Sequence, residues 1–148
     1  MKLAIGSDHA GYGIKEHLIP WLRSQSGGKH QVRDVGCESL ESCDYPDYAE
    51  SVGRAVSSGR ASRGILICGT GIGMGIAANK IRGVRAAVTW NPETAALAAE
   101  HNKANILCLP ARYVNAGKAR EMVKVFLRTP FGGGRHSRRV RKISALER

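Results

Sequence analysis

Residues 64–80 read GILICGTGIGMGIAANK. The first five, Gly64 to Cys68, form a short apolar run with β-branched residues at 65 and 67. A parallel strand covered on both faces needs that composition. The glycines at 69, 71 and 73 then mark a tight turn, and the residues after it suit a helix. A buried strand passing through a glycine-rich turn into a helix is one unit of a wound α/β sheet.

Working outward, the same alternation repeats. Upstream, Leu3–Gly6 and Val32–Val35 read as strands. Between them Ile14, Leu18 and Leu22 recur at helical spacing, with Pro20 predicting a kink or irregularity. A polar loop over 36–46 leads to a helix capped by Asp47, with Tyr48, Val52, Ala55 and Val56 facing in. Downstream, Val84–Thr89 and Ile106–Leu109 read as strands. Pro92 opens a helix through Ala95, Ala98 and Ala99 to His101. Asn115 caps another, with Ala119, Met122, Val123 and Phe126 buried. The glycines 132–134 separate this core from a last basic segment. The expected architecture is a three-layer α/β/α, Rossmann-like open parallel sheet of five strands with a C-terminal helical extension. It is expected to be a single domain over 1–148, with the basic segment at about 132–148.

Composition narrows the function. The 148 residues are 43% hydrophobic, too apolar for a disordered basic tail. No apolar run approaches the ~20 residues of a membrane span. The start, MKLAIGSDHAG, does not read as a signal peptide, because Asp8 and His9 interrupt its apolar stretch. The expectation is a cytoplasmic protein with Cys37, Cys43, Cys68 and Cys108 reduced. There are 23 Lys and Arg against 12 Asp and Glu, a net charge of +11. From Arg128 to Arg148 there are seven basic residues and one acid, a net of +6. More than half of the excess lies in that tail, which makes the tail a candidate anion binder rather than the whole chain a nucleic-acid binder.

In open α/β sheets ligands bind at the carboxyl ends of the strands. Gly69-Thr70-Gly71-Ile72-Gly73 lies at such an end and can turn successive N–H groups toward one anion, or can be a plain strand–helix turn. Its spacing is neither the dinucleotide GxGxxG nor a phosphate loop closed by Lys-Ser or Lys-Thr. Cys68 reads either as a small core hydrophobe or as a base or nucleophile whose thiolate a helix N-terminus stabilises. Asp8 and His9 follow the first strand, at the same end of the sheet. His101 and Asn102 end a helix, where a solvated histidine also suits the helix dipole. Arg112 meets an anion or faces water. Arg135 and Arg139 are four apart, so on a helix they share a face and fit a phosphate. Arg138 and Arg141 need no role beyond solvation.

These pieces resemble one family. GSDHAG at 6–11, DYPDYA at 44–49, residues 64–80, RAAV at 85–88, EHNKANIL at 100–107 and GGRHSRRV at 133–140 are similar, in order and spacing, to the type B ribose-5-phosphate isomerases. That family is grouped with the galactose-6-phosphate and allose-6-phosphate isomerases. The resemblance implies an aldose–ketose isomerase that uses neither metal nor cofactor. It implies that Cys68 moves the proton between C1 and C2, in the branch that uses cysteine rather than glutamate. It implies that His101 helps open the sugar ring and that Asp8 and His9 bind the sugar and its phosphate side. The loop Gly69–Gly73, with Ile72 and the catalytic Thr70, would hold the reacting end, and Asn102 a sugar hydroxyl. Arg112, Arg135 and Arg139 would bind near the phosphate. The implied partners are a small sugar phosphate and a second copy of the chain, since family members are dimers, sometimes tetramers, with active sites completed by both subunits. Neither nucleic acid nor membrane is implied.

Two departures stand out: SGGKHQ at 26–31 lengthens the first helix–strand loop, and Trp90 stands beside the fourth strand's end. Two readings compete with ribose 5-phosphate. One is the same chemistry on a six-carbon sugar phosphate. The other is a small basic nucleic-acid-binding domain, which leaves Cys68 without a task and has no aromatic stacking platform.

Overall fold

The computed structural model describes residues 1–147. Five strands, β1 (Lys2–Ser7), β2 (Gln31–Asp34), β3 (Arg63–Cys68), β4 (Ala86–Val88) and β5 (Ile106–Pro110), form one sheet in the order β2-β1-β3-β5-β4. Every pairing is parallel, with Ile5 opposite Ile65 and Ile65 opposite Leu107. The helices are α1 (Tyr12–Arg23), α2 (Tyr45–Ser57), α3 (Ile72–Ala78), α4 (Pro92–Asn102), α5 (Ala116–Arg128) and α6 (Arg135–Ser144). None is long and apolar enough to cross a membrane.

Strand alternation sorts the core into two layers. Leu3, Ile5, Ile65, Ile67, Leu107 and Leu109 face α1, α4 and α5, where Leu18, Ala95, Met122 and Phe126 meet them. Ala4, Leu66, Cys68, Ile106 and Cys108 face α2 and α3, against Val52, Val56, Met74 and Ala78. Cys68 therefore belongs to the thinner layer, whose strands carry small residues. Phe126 is fully buried in the thicker layer, where removing its ring costs ~3–5 kcal/mol.

The expected architecture stands, with local corrections. Asp44, not Asp47, occupies the cap position of α2, and no side-chain cap bond forms there. Pro46 sits in the first turn, where its missing N–H is no loss, so Asp47 falls inside the helix. β2 begins one residue earlier than Val32 and ends at Asp34, and α1 runs through Pro20 to Arg23. β4 is only Ala86–Val88, shorter than Val84–Thr89. Side-chain amides add to the backbone bonding at its start. Asn105 Oδ1 accepts from the Arg85 N–H at 2.7 Å. Asn79 Nδ2 donates to the Ala86 carbonyl at 2.8 Å, and its Oδ1 accepts from the Ala86 N–H at 2.8 Å.

Asn115 caps α5 as expected, accepting from the Lys118 N–H at 2.8 Å. Past α5 the chain reverses at Gly133 and Gly134, both with positive φ. This turn lays the extension, α6, against α4.

Candidate active site

The sheet order makes a crevice. The chain leaves β1 toward β2 on one side and returns to β3 on the other, so the loops after β1 and β3 diverge at their carboxyl ends. The Asp8 N–H donates to the Ile67 carbonyl at 3.2 Å, tying the two loops together. Gly11 lies hard against β3: a Cβ there would sit 2.4 Å from the Ile67 oxygen.

Cys68 ends β3 and is 4% exposed. Gly71, with φ +76°, turns its N–H back to donate to Cys68 Sγ at 3.2 Å. A backbone donor aimed at sulfur is a fitting partner for an anionic thiolate. The helix behind it, α3, has only seven residues, so this single aimed N–H carries more of the argument than the helix dipole. Cys108 lies behind on β5, and burial first, then the nearby Cys68, pushes its thiol far above the ordinary value. Cys108 is fully buried behind the sheet end, and Cys68 is the thiol that meets the glycine loop.

Other groups converge on the same end. Asp8 is buried, and its Oδ1 accepts from the Ala10 and Gly11 N–H groups at 3.0 and 3.1 Å. His9 Nδ1 accepts from the Cys43 N–H at 3.3 Å, so in the neutral ring the proton sits on Nε2 as a free donor. Thr70 Oγ1 accepts from the Ile72 N–H at 3.2 Å, which leaves its own O–H to donate. The Arg112 N–H donates to the Gly69 carbonyl at 3.0 Å. Its guanidinium crosses the glycine, Nε lying 3.0 Å from where a Cβ would stand. Tyr45 was given no role by sequence reading, yet its ring covers Gly73, 2.5 Å from the position of an added Cβ. Its one signal was its place in DYPDYA.

Beneath the crevice, Lys15 is buried and pairs with Asp34 at the end of β2 and with Glu16 at 3.1 Å. Burial alone would lower its pKa, but the bonds and charges of Asp34 and Glu16 outweigh it and hold the ammonium above its ordinary value. The pair fixes the first turn of α1 to β2, and so the frame around Ser7–Gly11.

The remaining predicted residues are elsewhere. α4 starts at the carboxyl end of β4 and runs back, so His101 and Asn102 lie at the amino ends of the strands, across the sheet from Cys68. Arg85 Nε donates to the Lys103 carbonyl at 2.9 Å, which marks that end. α6 adds Arg135 and Arg139, both exposed and neither in an ion pair among the described residues. The His101 and His136 rings stack, with centroids 4.2 Å apart and planes 10° apart. A cleft of about 600 Å³ borders Asn102 at this same end and is lined by Arg82, Arg85 and Ile143. One chain thus brings Asp8, His9, Cys68, Gly69–Gly73 and Arg112 together, and does not bring His101, Asn102, Arg135 or Arg139 to them. Among the described residues no group of three or more His, Cys, Asp or Glu could hold a metal ion.

Comparison with known proteins gives the family. Residues 3–143 match the family described as Ribose/Galactose Isomerase. The ribose-5-phosphate isomerase B of Escherichia coli K12 is 42% identical over 146 residues, covering 99% of this chain and 96% of that protein. The solved ribose-5-phosphate isomerase B of Clostridium thermocellum superposes with a TM-score of 0.95 at 47% identity, over 99% of this chain and 97% of that one. The Mycoplasma genitalium ribose-5-phosphate isomerase B, solved with bound ribulose-5-phosphate, gives 0.93 at 40% identity, over 99% and 95% of the two chains. With so nearly complete a match in both sequence and fold, this chain belongs to the ribose/galactose isomerase family of sugar-phosphate isomerases.

Proposed function

We propose that the protein interconverts ribose 5-phosphate and ribulose 5-phosphate, with Cys68 as the base. The observation that carries this reading is the Gly71 N–H aimed at Cys68 Sγ in the β1/β3 crevice. The likeness to a relative solved with ribulose-5-phosphate supports the substrate.

The Cys68 thiolate takes the proton from C2 of the open-chain aldose, giving a cis-enediolate. The sulfur returns that proton to C1, while a proton passes from O2 to O1, leaving the ketose. Charge develops on O1 and O2, where the Thr70 hydroxyl and the N–H groups of the glycine loop supply donors. The reaction is a set of proton transfers with no net redox change, so these groups suffice without a cofactor. His101 moves the proton between the C1 hydroxyl and the ring oxygen when the furanose opens. Arg135 and Arg139 hold the phosphate, and binding there positions the distant reacting carbons.

His101, Asn102, Arg135 and Arg139 lie across the sheet from Cys68 in one chain. We therefore assign them to the site of a second copy, in a homodimer whose two sites are shared. A second reading has one observation in its favour: the matched family spans ribose and galactose isomerases, so the same chemistry on allose 6-phosphate or galactose 6-phosphate is the competitor. A coupled isomerase assay across the three sugar phosphates ranks them, and ribose 5-phosphate is expected to give the highest kcat/KM. If no sugar turns over faster with the intact protein than with Cys68→Ala, the isomerase reading is wrong.

A further inference from the structure

We propose that His136 is a positioning residue for His101, its ring stacked on the ring that handles the sugar's ring-opening proton. The proposal rests on the reading of His101 given above.

The two imidazoles lie face to face, with centroids 4.2 Å apart and planes 10° apart. Offset stacking of flat rings at this separation is attractive and directional. One face of His101 is covered by the stack, which leaves the ring edge, with its two nitrogens, free to point outward. A lone histidine at the end of a helix keeps several rotamers, and proton transfer in both directions needs one. The stack is built on fixed elements. His101 is in the last turn of α4, and His136 is in the first turn of α6. The Gly132 N–H donates to the Glu100 carbonyl at 2.9 Å and fixes where α6 begins.

The charged groups around the pair act in the same sense. Facing His136 are His101 and Glu100 from α4 and Arg135 and Arg139 from its own helix. Partial burial, then His101 and the two arginines, hold its imidazole below the ordinary histidine value, and Glu100 pulls weakly the other way. A neutral ring against His101 lets that residue gain and lose a proton without a second imidazolium against its face. The arginines therefore have two consequences: they present positive charge outward, and they add to burial and His101 in disfavouring the charged form of His136.

The test separates ring opening from isomerisation. Ribulose 5-phosphate cannot close a furanose ring, because its O5 carries the phosphate. Exchange of its C1 hydrogen with solvent deuterium therefore reads the Cys68 step alone. In the full dimeric protein, His136→Ala is expected to lower kcat for ribose 5-phosphate by about tenfold, with KM changed less than about twofold, while the exchange rate is unchanged. His136→Phe, which keeps a flat ring without a titrating group, is expected to recover most of kcat. Cys68→Ala is expected to abolish the exchange. Unchanged kcat in His136→Ala, equal losses in the Ala and Phe variants, or a KM that rises with the kcat loss would each overturn the positioning role. Exchange that survives in Cys68→Ala overturns the assignment of Cys68 as the base instead.

Discussion

The two ends of the sheet are built differently. At the carboxyl ends of β1 and β3, backbone bonds fix the side chains: Asp8 accepts two N–H bonds, His9 one, Cys68 one, and Gly11 leaves no space against β3. At the amino ends, Arg135 and Arg139 are exposed on α6, held only through the helix that carries them. The first region is fixed by backbone geometry and the second by the docking of one helix. A preorganised reaction centre needs the first construction. Groups proposed to complete the site of a second copy are suited by the second.

The sharpest way to break this comparison is complementation. Cys68→Ala and His101→Ala variants should each lose ~10³-fold or more in kcat. After the two are unfolded together and refolded, about a quarter of sites should regain activity, because each mixed dimer rebuilds one intact site from opposite copies. No recovery would put both groups in one chain's site and end the shared-site proposal.

Next in size is Arg139→Ala. A lost charge-assisted bond to phosphate is worth ~1.5–3 kcal/mol, so KM should rise about ten- to a hundredfold while the far-ultraviolet spectrum stays unchanged. An unchanged KM would remove Arg139 from the phosphate site.

Lys15→Met probes the opposite region. It should cost ~1–3 kcal/mol in urea unfolding, less than for a fully buried pair because Asp34 and Glu16 are partly exposed. The ammonium's folded pKa lies above 10.5, so its contribution is complete below pH 10.5 and is lost as pH rises through the folded value. The gap between variant and parent should therefore narrow in strong alkali, as the ammonium is neutralised, and a gap that persists there unchanged would contradict the pairing. The smallest effect belongs to Arg138→Ala, on the exposed surface of α6, with stability within ~0.5 kcal/mol and KM unchanged.

Much of this was legible in the sequence because it depends on short-range rules. The alternation in residues 64–68 sets which side chains face which layer, and Asn115 occupies the cap its chemistry favours. What was not legible depends on partners far along the chain. The backbone at the start of β4 is bonded by amides from Asn79 and Asn105, which no local pattern announces. Asp47 has capping chemistry, but Pro46 draws the helix start back to Tyr45. Tyr45 reaches Gly73 only once α2 packs beside α3. Cys68 and the glycine loop could be named from their place at a strand end. The separation of His101 from them follows from the direction in which a crossover helix returns, a property of topology rather than of any motif.

The amide of Asn79 has a further consequence. Ala86 directs both of its backbone groups away from β5, at the open side of the sheet, and Asn79 occupies both. A foreign strand arriving there finds the first pair of hydrogen-bonding groups already taken. At this edge, growth of the sheet from molecule to molecule, the route to fibres, is checked by one side chain.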